Sequence, residues 1–433
     1  MTEKIRKPIG KRKKLPQFTI MNVIEGQAGL ENYSSLFFYS LTIDNILNII
    51  VLLILAGIAI SLTIGNNGIF SRAQTAANTW RNAETNEQLA MGDVEDWIDD
   101  YMNGNGGNQG GGTVDGNYNT GTTVEEAKNQ NKPFENDTTI TDSCSPANSI
   151  RVPAGFKIAQ DSATAVEDGI VIEDKDGNQF VWIPAKTGTG ATINLSAGGT
   201  AVIKYKRTAF RGEDITIRYS ETMPSDEEAS VNAWGGYYIG RFEAGDKEST
   251  EAKTMRASGA SRENTVTIKK GQAPYNDITF AKLKSLAEAM DTTQAYTTAT
   301  TKLVSSYAWD TAINFIQIKN SDYGTNSPEG NYLNTTFEYT DITGRLQTKF
   351  NNESALIPTG QTAAVSNIYD MGGNLREYTT EVLSYSNYRY VGRGGSYDDE
   401  NYDNIPAGSR SNANGVGYLS DGFRVALYCS TES

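Results

Sequence analysis

A chain of 433 residues with 23 Tyr, 14 Phe and 5 Trp has the apolar mass for two or three domains, or for one large domain with extensions. It has no histidine and only two cysteines, Cys144 and Cys429. That excludes Ser-His-Asp and Cys-His catalysis, His-ligated metals, four-cysteine metal sites and a disulfide-rich scaffold. The formal charge is −14, and residues 1–14 carry seven Lys/Arg against Glu3, a local +6 that leaves −20 on the rest. An acidic body repels phosphate backbones, so nucleic acid is not an expected partner.

In chain order, residues 1–45 read as a basic leader. Residues 46–64 form a nearly uncharged run of bilayer-spanning length, with the basic cluster before it. That arrangement predicts a membrane anchor with a cytoplasmic N-terminus and an extracellular C-terminal body. From residue 71 to 102, Ala76, Trp80, Ala83, Ala90, Val94 and Trp97 recur at helical spacing, so one long helix is predicted over 46–102. Residues 103–149 begin as a Gly/Asn-rich linker, and the glycines lack the Lys-Ser/Thr of a phosphate loop.

Residues 150–433 read as short strands, turns and a few helices. The stretch 169–184 alternates around Asp176-Gly177 and predicts a hairpin, and 235–244 predicts another strand. Helices are predicted over 279–290 and over 305–319, the second with Trp309, Ala312, Ile313 and Ile316 on one face.

Two resemblances follow from these strings. Val51-Leu-Leu-Ile-Leu-Ala-Gly57, Thr63-Ile-Gly-Asn-Asn-Gly-Ile69 and Arg72-Ala-Gln74 resemble the N-terminal helix of type IV prepilin-like proteins, although the place of the processing glycine, near Tyr39, has none. In the body, the strings are Phe180-Val-Trp-Ile-Pro184, Tyr237-Tyr-Ile-Gly-Arg-Phe-Glu243, Trp309-Asp-Thr-Ala312, Asn367-Ile-Tyr-Asp-Met-Gly-Gly-Asn374, Arg393-Gly-Gly-Ser396 and Gly422-Phe-Arg-Val425. As a set they resemble the formylglycine-generating-enzyme (sulfatase-modifying factor) family, a variant of the C-type lectin fold. The implied fold class is α+β: a transmembrane, pilin-like long helix followed by a C-type lectin-like domain of short strands and few helices.

The resemblance implies no enzyme, because the cysteine pair of the family's oxidase is missing from residues 397–421 and no histidine replaces it. It implies a calcium site carried over to Asp370, Gly373, Leu375 and Glu377; the alternative for Glu377 is a salt bridge to Arg393 or Arg424. In such folds the domain ends lie close together, so Cys144 and Cys429 either form a disulfide or stay unpaired. No redox cofactor is implied.

Residues 397–421 are rich in Tyr, Asp, Asn, Ser and Gly, a composition that offers contact area with adaptable hydrogen bonding. With Arg393-Gly-Gly-Ser-Tyr397, Ile405-Pro-Ala-Gly-Ser-Arg410 and Asp421-Gly-Phe-Arg-Val-Ala-Leu427, this region resembles variable proteins of diversity-generating retroelements. There, mutated template adenines turn Asn codons into any NNY codon, and apart from Glu400 every residue from 397 to 421 is NNY-reachable. The implied variable positions are Asp398, Asp399, Tyr402, Asp403, Asn404, Ser411, Asn412, Asn414, Tyr418, Leu419, Ser420 and Asp421. The expectation is a surface-displayed, adhesin- or receptor-like protein. Its ligand is a protein or glycan, and its anchor contacts the membrane and other pilins. A structural minor pilin is the alternative, and an enzyme of the formylglycine-generating class the third reading.

Overall fold

The computed structural model describes residues 121–249, 264–384, 389–400 and 402–431, which fall in the compact unit spanning residues 112–433. Two sheets organise it. The first is antiparallel, built from β1 (Lys157–Ile158), β2 (Val171–Glu173), β3 (Gln179–Pro184), β5 (Gly236–Gly240), β6 (Ala299–Leu303) and β11 (Val425–Cys429). Its strand order is β6-β11-β5-β3-β2-β1. The second holds β4 (Tyr219–Ser220), β7 (Arg376–Leu383), β8 (Tyr390–Arg393), β9 (Arg410–Ala413) and β10 (Asp421–Phe423). Its order is β9-β8-β7-β10, with β4 also on β7.

The central strands of the first sheet are buried on both faces, which is why Phe180–Pro184 and Val425–Cys429 read as continuous apolar runs rather than alternating ones. Trp182 stands opposite Tyr238 in register, their rings edge to face at 5.0 Å. The helix Ser306–Ile316 packs on β3 of one sheet and β7 of the other. It begins at Ser305, whose Oγ accepts the Ala308 amide at 3.1 Å, so the N-terminal amide is satisfied by its cap. The hairpin expected over 169–184 is present as β2 and β3, turned by a loop in which Asp174 accepts the amides of Asp176 and Asn178.

The chain crosses between the sheets at a single residue, Arg424, which separates β10 from β11. Its guanidinium is fully buried. It grips Glu377 at 2.6 and 2.9 Å and also donates to the carbonyls of Gly240 and Tyr369. That spends the fork's donors on both sheets at once, and fixes the corner.

Three expectations change. The described chain is mostly strands and loops with few helices, and the longest helix has 11 residues. No described helix is long and apolar enough to cross a membrane, which overturns the expected fold class and the membrane-anchored, extracellular placement. The physical reason is that these helices carry one apolar stripe for a sheet to cover, not an apolar circumference. The helix predicted over 46–102 lies outside the described residues. The body also starts before residue 150: the helix Val124–Gln130 and the hairpin Thr138–Thr141/Ser149–Val152 bury Val124, Ala127, Ile140 and Ile150 in the main core. Cys144 is exposed and Cys429 buried, and neither is in a disulfide.

Candidate binding face

Residues 397–421 divide into a clamped middle and two displayed flanks. The middle, 405–410, is held from below. Trp309 Nε1 donates to Ala407 O at 2.9 Å, and the Ala407 amide donates to Ser327 Oγ at 3.0 Å. Tyr332 OH lies 2.8 Å from Gly394 O and 3.1 Å from Ile405 O. Arg393, fully buried, donates from Nε to Ser409 O at 2.8 Å and from Nη2 to Asp310 at 2.5 Å.

Asp310 is the pivot of a charge-balanced network. Its second oxygen takes Arg410 Nη2 at 2.5 Å, Arg410 also reaches Glu381 at 2.9 Å and Glu213 at 2.7 Å, and Arg207 closes onto Glu381. Three guanidiniums thus meet three carboxylates, the arrangement that makes burying charge tolerable. Burial draws the Arg410 guanidinium downward, but Asp310 and Glu381 more than offset it and the net direction is up. Burial and the adjoining Arg410 charge pull Arg393 down.

On the flanks, Asp398, Asp403, Asn404, Asn412 and Tyr418 are exposed, and Asp399, Tyr402, Ser411, Asn414, Leu419 and Ser420 half-buried. Their anchorage runs largely through main-chain carbonyls. Asp399 O accepts the Leu333 amide at 3.0 Å, Asn404 O accepts Arg211, and Tyr418 O accepts the Asp277 amide at 3.1 Å. Leu419 O accepts Asn276 Nδ2 at 2.6 Å, and Ser420 O the Arg376 amide at 2.8 Å. A carbonyl is present whatever the side chain, so these holds survive substitution. Asp398 and Asp399 also accept from Ser396, a local turn contact that does depend on their identity.

Asp421 is different. It is fully buried, with its carboxylate on Arg376 Nε at 2.8 Å and on Tyr378 OH at 3.0 Å. It belongs to the framework, not to the displayed set.

Beside residues 404–411 opens a groove of about 400 Å³. Asn404 and Ser411 line one side, and Arg211, Glu213, Arg218 and Tyr219 the other. The sequence reading missed this second wall, which lies some two hundred residues away in the chain. Its one local signal is the basic run Lys204, Lys206, Arg207, Arg211 and Arg218 in an acidic body.

The two carboxylates carried over for calcium, Asp370 and Glu377, are already engaged. Asp370 is buried and accepts the Gly360 amide at 2.6 Å and Thr362 Oγ1 at 2.7 Å, while Glu377 is locked to Arg424. The Arg424 guanidinium already balances the Glu377 carboxylate. Burial pushes the Glu377 carboxyl up to about 7 against the pull of Arg424. Among the described residues no group of three or more Cys, Asp or Glu is placed to hold a metal.

No protein-family description matches the chain, and no curated protein matches it. Solved structures similar to it include Treponema denticola variable protein 1, at 12% identity and a TM-score of 0.29, covering 58% of this chain and 96% of that one. PvdO from Pseudomonas aeruginosa is 14% identical with a TM-score of 0.30, covering 60% and 97%. CarF is 13% identical with a TM-score of 0.30, covering 57% and 97%. Likeness at this level assigns neither a ligand nor a reaction to the chain.

Proposed function

We propose that this protein is a non-enzymatic ligand-binding module whose displayed positions between 398 and 420 form a diversifiable face, of the kind that a diversity-generating retroelement rewrites. One observation carries the reading: the displayed residues are fixed mainly through their backbone carbonyls, while the side chains that hold the fold lie beneath them at Trp309, Asp310, Arg393 and Arg410. A face built this way can change its side chains without dismantling its support. The composition of the face agrees, since Tyr gives rigid contact area and Asn, Ser and Asp give adaptable polar contacts. The lack of histidine in the whole chain, and of cysteine in 397–421, removes the groups that would do redox or imidazole chemistry there.

Sequencing of the gene across a population tests this. Substitutions are expected at codons 398, 399, 402–404, 411, 412, 414 and 418–420, and absent at 393, 405–410 and 421. Variation spread evenly along the gene, or equally frequent at Asp421 and Asn412, refutes it.

A further inference from the structure

The groove beside residues 404–411 carries a charge opposite to that of the chain. Three arginines line it, Arg211, Arg218 and Arg410, and one acid, Glu213. Both oxygens of that acid are engaged, Oε1 by Arg410 Nη1 at 2.7 Å and Oε2 by the Arg211 amide at 2.9 Å. The Arg211 side chain donates to Asn404 O and, at 3.2 Å, to Ser409 Oγ. A carbonyl and a hydroxyl orient the guanidinium without neutralising it. Arg218 lies over the Tyr219 ring, its Cζ 5.6 Å from the centroid. This wall belongs to residues 204–218, where Lys204, Lys206, Arg207, Arg211 and Arg218 stand against Glu213 and Asp214 in a chain of net charge −14. Asp214 is not in the lining, and its carboxylate caps the Thr216 and Ile217 amides. The acids of the flank point elsewhere. Asp398 and Asp399 are held by Ser396 and act on Asp421 and Arg376, and Asp403, exposed beside Asn404, does not line the groove.

We propose that this groove receives an acidic side chain, Asp or Glu, of a partner protein, recognised by the guanidiniums of Arg211 and Arg218. This rests on the reading of 398–420 as a ligand-binding face. A guanidinium matches a carboxylate in shape as well as in charge, two parallel N–H groups meeting two oxygens, and arginine clusters are a recurrent device for reading acidic segments. The partner is a protein because apolar surface adjoins the charge. Ile217, next to Arg218, is 67% exposed, and Ile405 lines the groove. A peptide covers such surface with an apolar residue beside its acidic one, whereas a sugar brings hydroxyls that the surface cannot pair. On a diversified face the placement has a consequence. Arg211 and Arg218 lie outside 398–420, and Arg211 is held at position 404 by a carbonyl, so every rewritten copy keeps the cationic wall. Asn404 and Ser411, on the facing side, then select among acidic partners.

The test uses the full chain and a displayed library of random ten-residue peptides. The expected result is enrichment of Asp or Glu beside an apolar residue, both in the parent and in a copy carrying Asn404→Ser and Ser411→Tyr. Enriched peptides, once synthesised, lose about tenfold in affinity on Arg218→Gln, and as much when their own acid is changed to its amide. Raising salt from ~50 mM to ~500 mM weakens binding several-fold. Arg211→Glu combined with Arg218→Glu shifts the selection to Lys/Arg peptides, a gain that misfolding cannot imitate. Four outcomes overturn the inference: enriched peptides no richer in Asp and Glu than the library, acidic peptides bound equally well after Arg218→Gln and after Arg211→Gln, a library yielding no enriched peptide, or an array of carboxylated glycans that binds where peptides do not. None of these touches the binding-face reading, which fails separately if Asn412→Ala and Tyr418→Ala both leave every captured ligand unaffected.

Discussion

Replacing Asp310 by Ala isolates the support beneath the face. The carboxylate bridges Arg393 and Arg410 at 2.5 Å each, and also accepts the Thr208 amide at 2.8 Å. Without it, Arg410 keeps Glu213 and Glu381, but Arg393 retains only the carbonyls of Gly408 and Ser409. Its Nη1 already has no hydrogen-bond partner, so beyond Asp310 only Glu381, which it does not touch, offsets the charge. Breaking a buried pair from one side costs about 3–5 kcal/mol, and the stranded Thr208 amide adds about 1 kcal/mol. A loss near 5 kcal/mol is a large share of the roughly 5–15 kcal/mol that holds a domain together, and corresponds to a Tm lower by about 10 °C. Calorimetry measures the shift, with Asn412→Ala as the exposed control, expected to change stability by less than about 0.5 kcal/mol. Hydrogen exchange should place the lost protection first at the Ala407 amide. A change of under about 1 kcal/mol, or protection lost from β11 before 405–410, refutes the argument that this ion network is what holds the middle of the loop.

Asp421→Ala strands Arg376, whose side chain is 23% exposed, so water recovers part of the loss and about 2 kcal/mol of destabilisation is expected by urea unfolding. Ser420→Ala, one residue earlier and held by its carbonyl, should fall within about 0.5 kcal/mol of the parent. Burial raises the Glu221 carboxyl from 4.5 to about 7, against hydrogen bonds from Ser306 and Thr380. Between those values the folded chain holds a proton that the unfolded chain has released, so stability falls as pH rises through the window and levels off above it. Glu221→Gln should flatten that slope by ~1–2 kcal/mol, allowing for its partial exposure, and an unchanged slope in urea midpoints counts against the assignment. Gly394 has φ +85° and an added Cβ would collide with the Met371 carbonyl, so Gly394→Ala should cost about 2 kcal/mol or more, read as a lower melting temperature.

What was legible in the sequence was local. Trp309, Ala312, Ile313 and Ile316 recur at helical spacing and do lie on a helix, and the 169–184 alternation does form a hairpin. The strings around Trp182 and Tyr238 mark strands because apolar runs leave a pattern within a few residues. Pairings across distance leave none. Arg410 and Glu213 are 197 positions apart, and nothing near either distinguishes a buried partner from a solvated surface charge. The same limit explains Asp421. By composition it is indistinguishable from Asp403, yet one is fully buried on Arg376 and the other exposed. The Glu377 salt bridge is the exception: of the two partners the sequence offered, Arg393 and Arg424, the structure pairs it with Arg424.

The distribution of arginine ties these observations together. A fold with few helices and short strands buries irregular backbone, and each buried carbonyl outside a ladder needs a donor. Arginine supplies five donors in a planar fork and so can serve several carbonyls at once. Here Arg207 donates to Ile215 O and Tyr219 O, Arg393 to Gly408 O and Ser409 O, Arg410 to Thr208 O, and Arg424 to Gly240 O and Tyr369 O. A buried guanidinium in turn requires a carboxylate, which is the place of Glu381, Asp310 and Glu377. The ion network is therefore the counterpart of holding loops by their backbones. Arginines that hold carbonyls place no demand on the side chains of the residues they hold, and an apolar core beneath the loop would fix side chains instead. The buried arginines thus fix Gly408 and Ser409 in the unvarying middle of the loop, and the displayed flanks that leave it are held by other donors, chiefly main-chain amides.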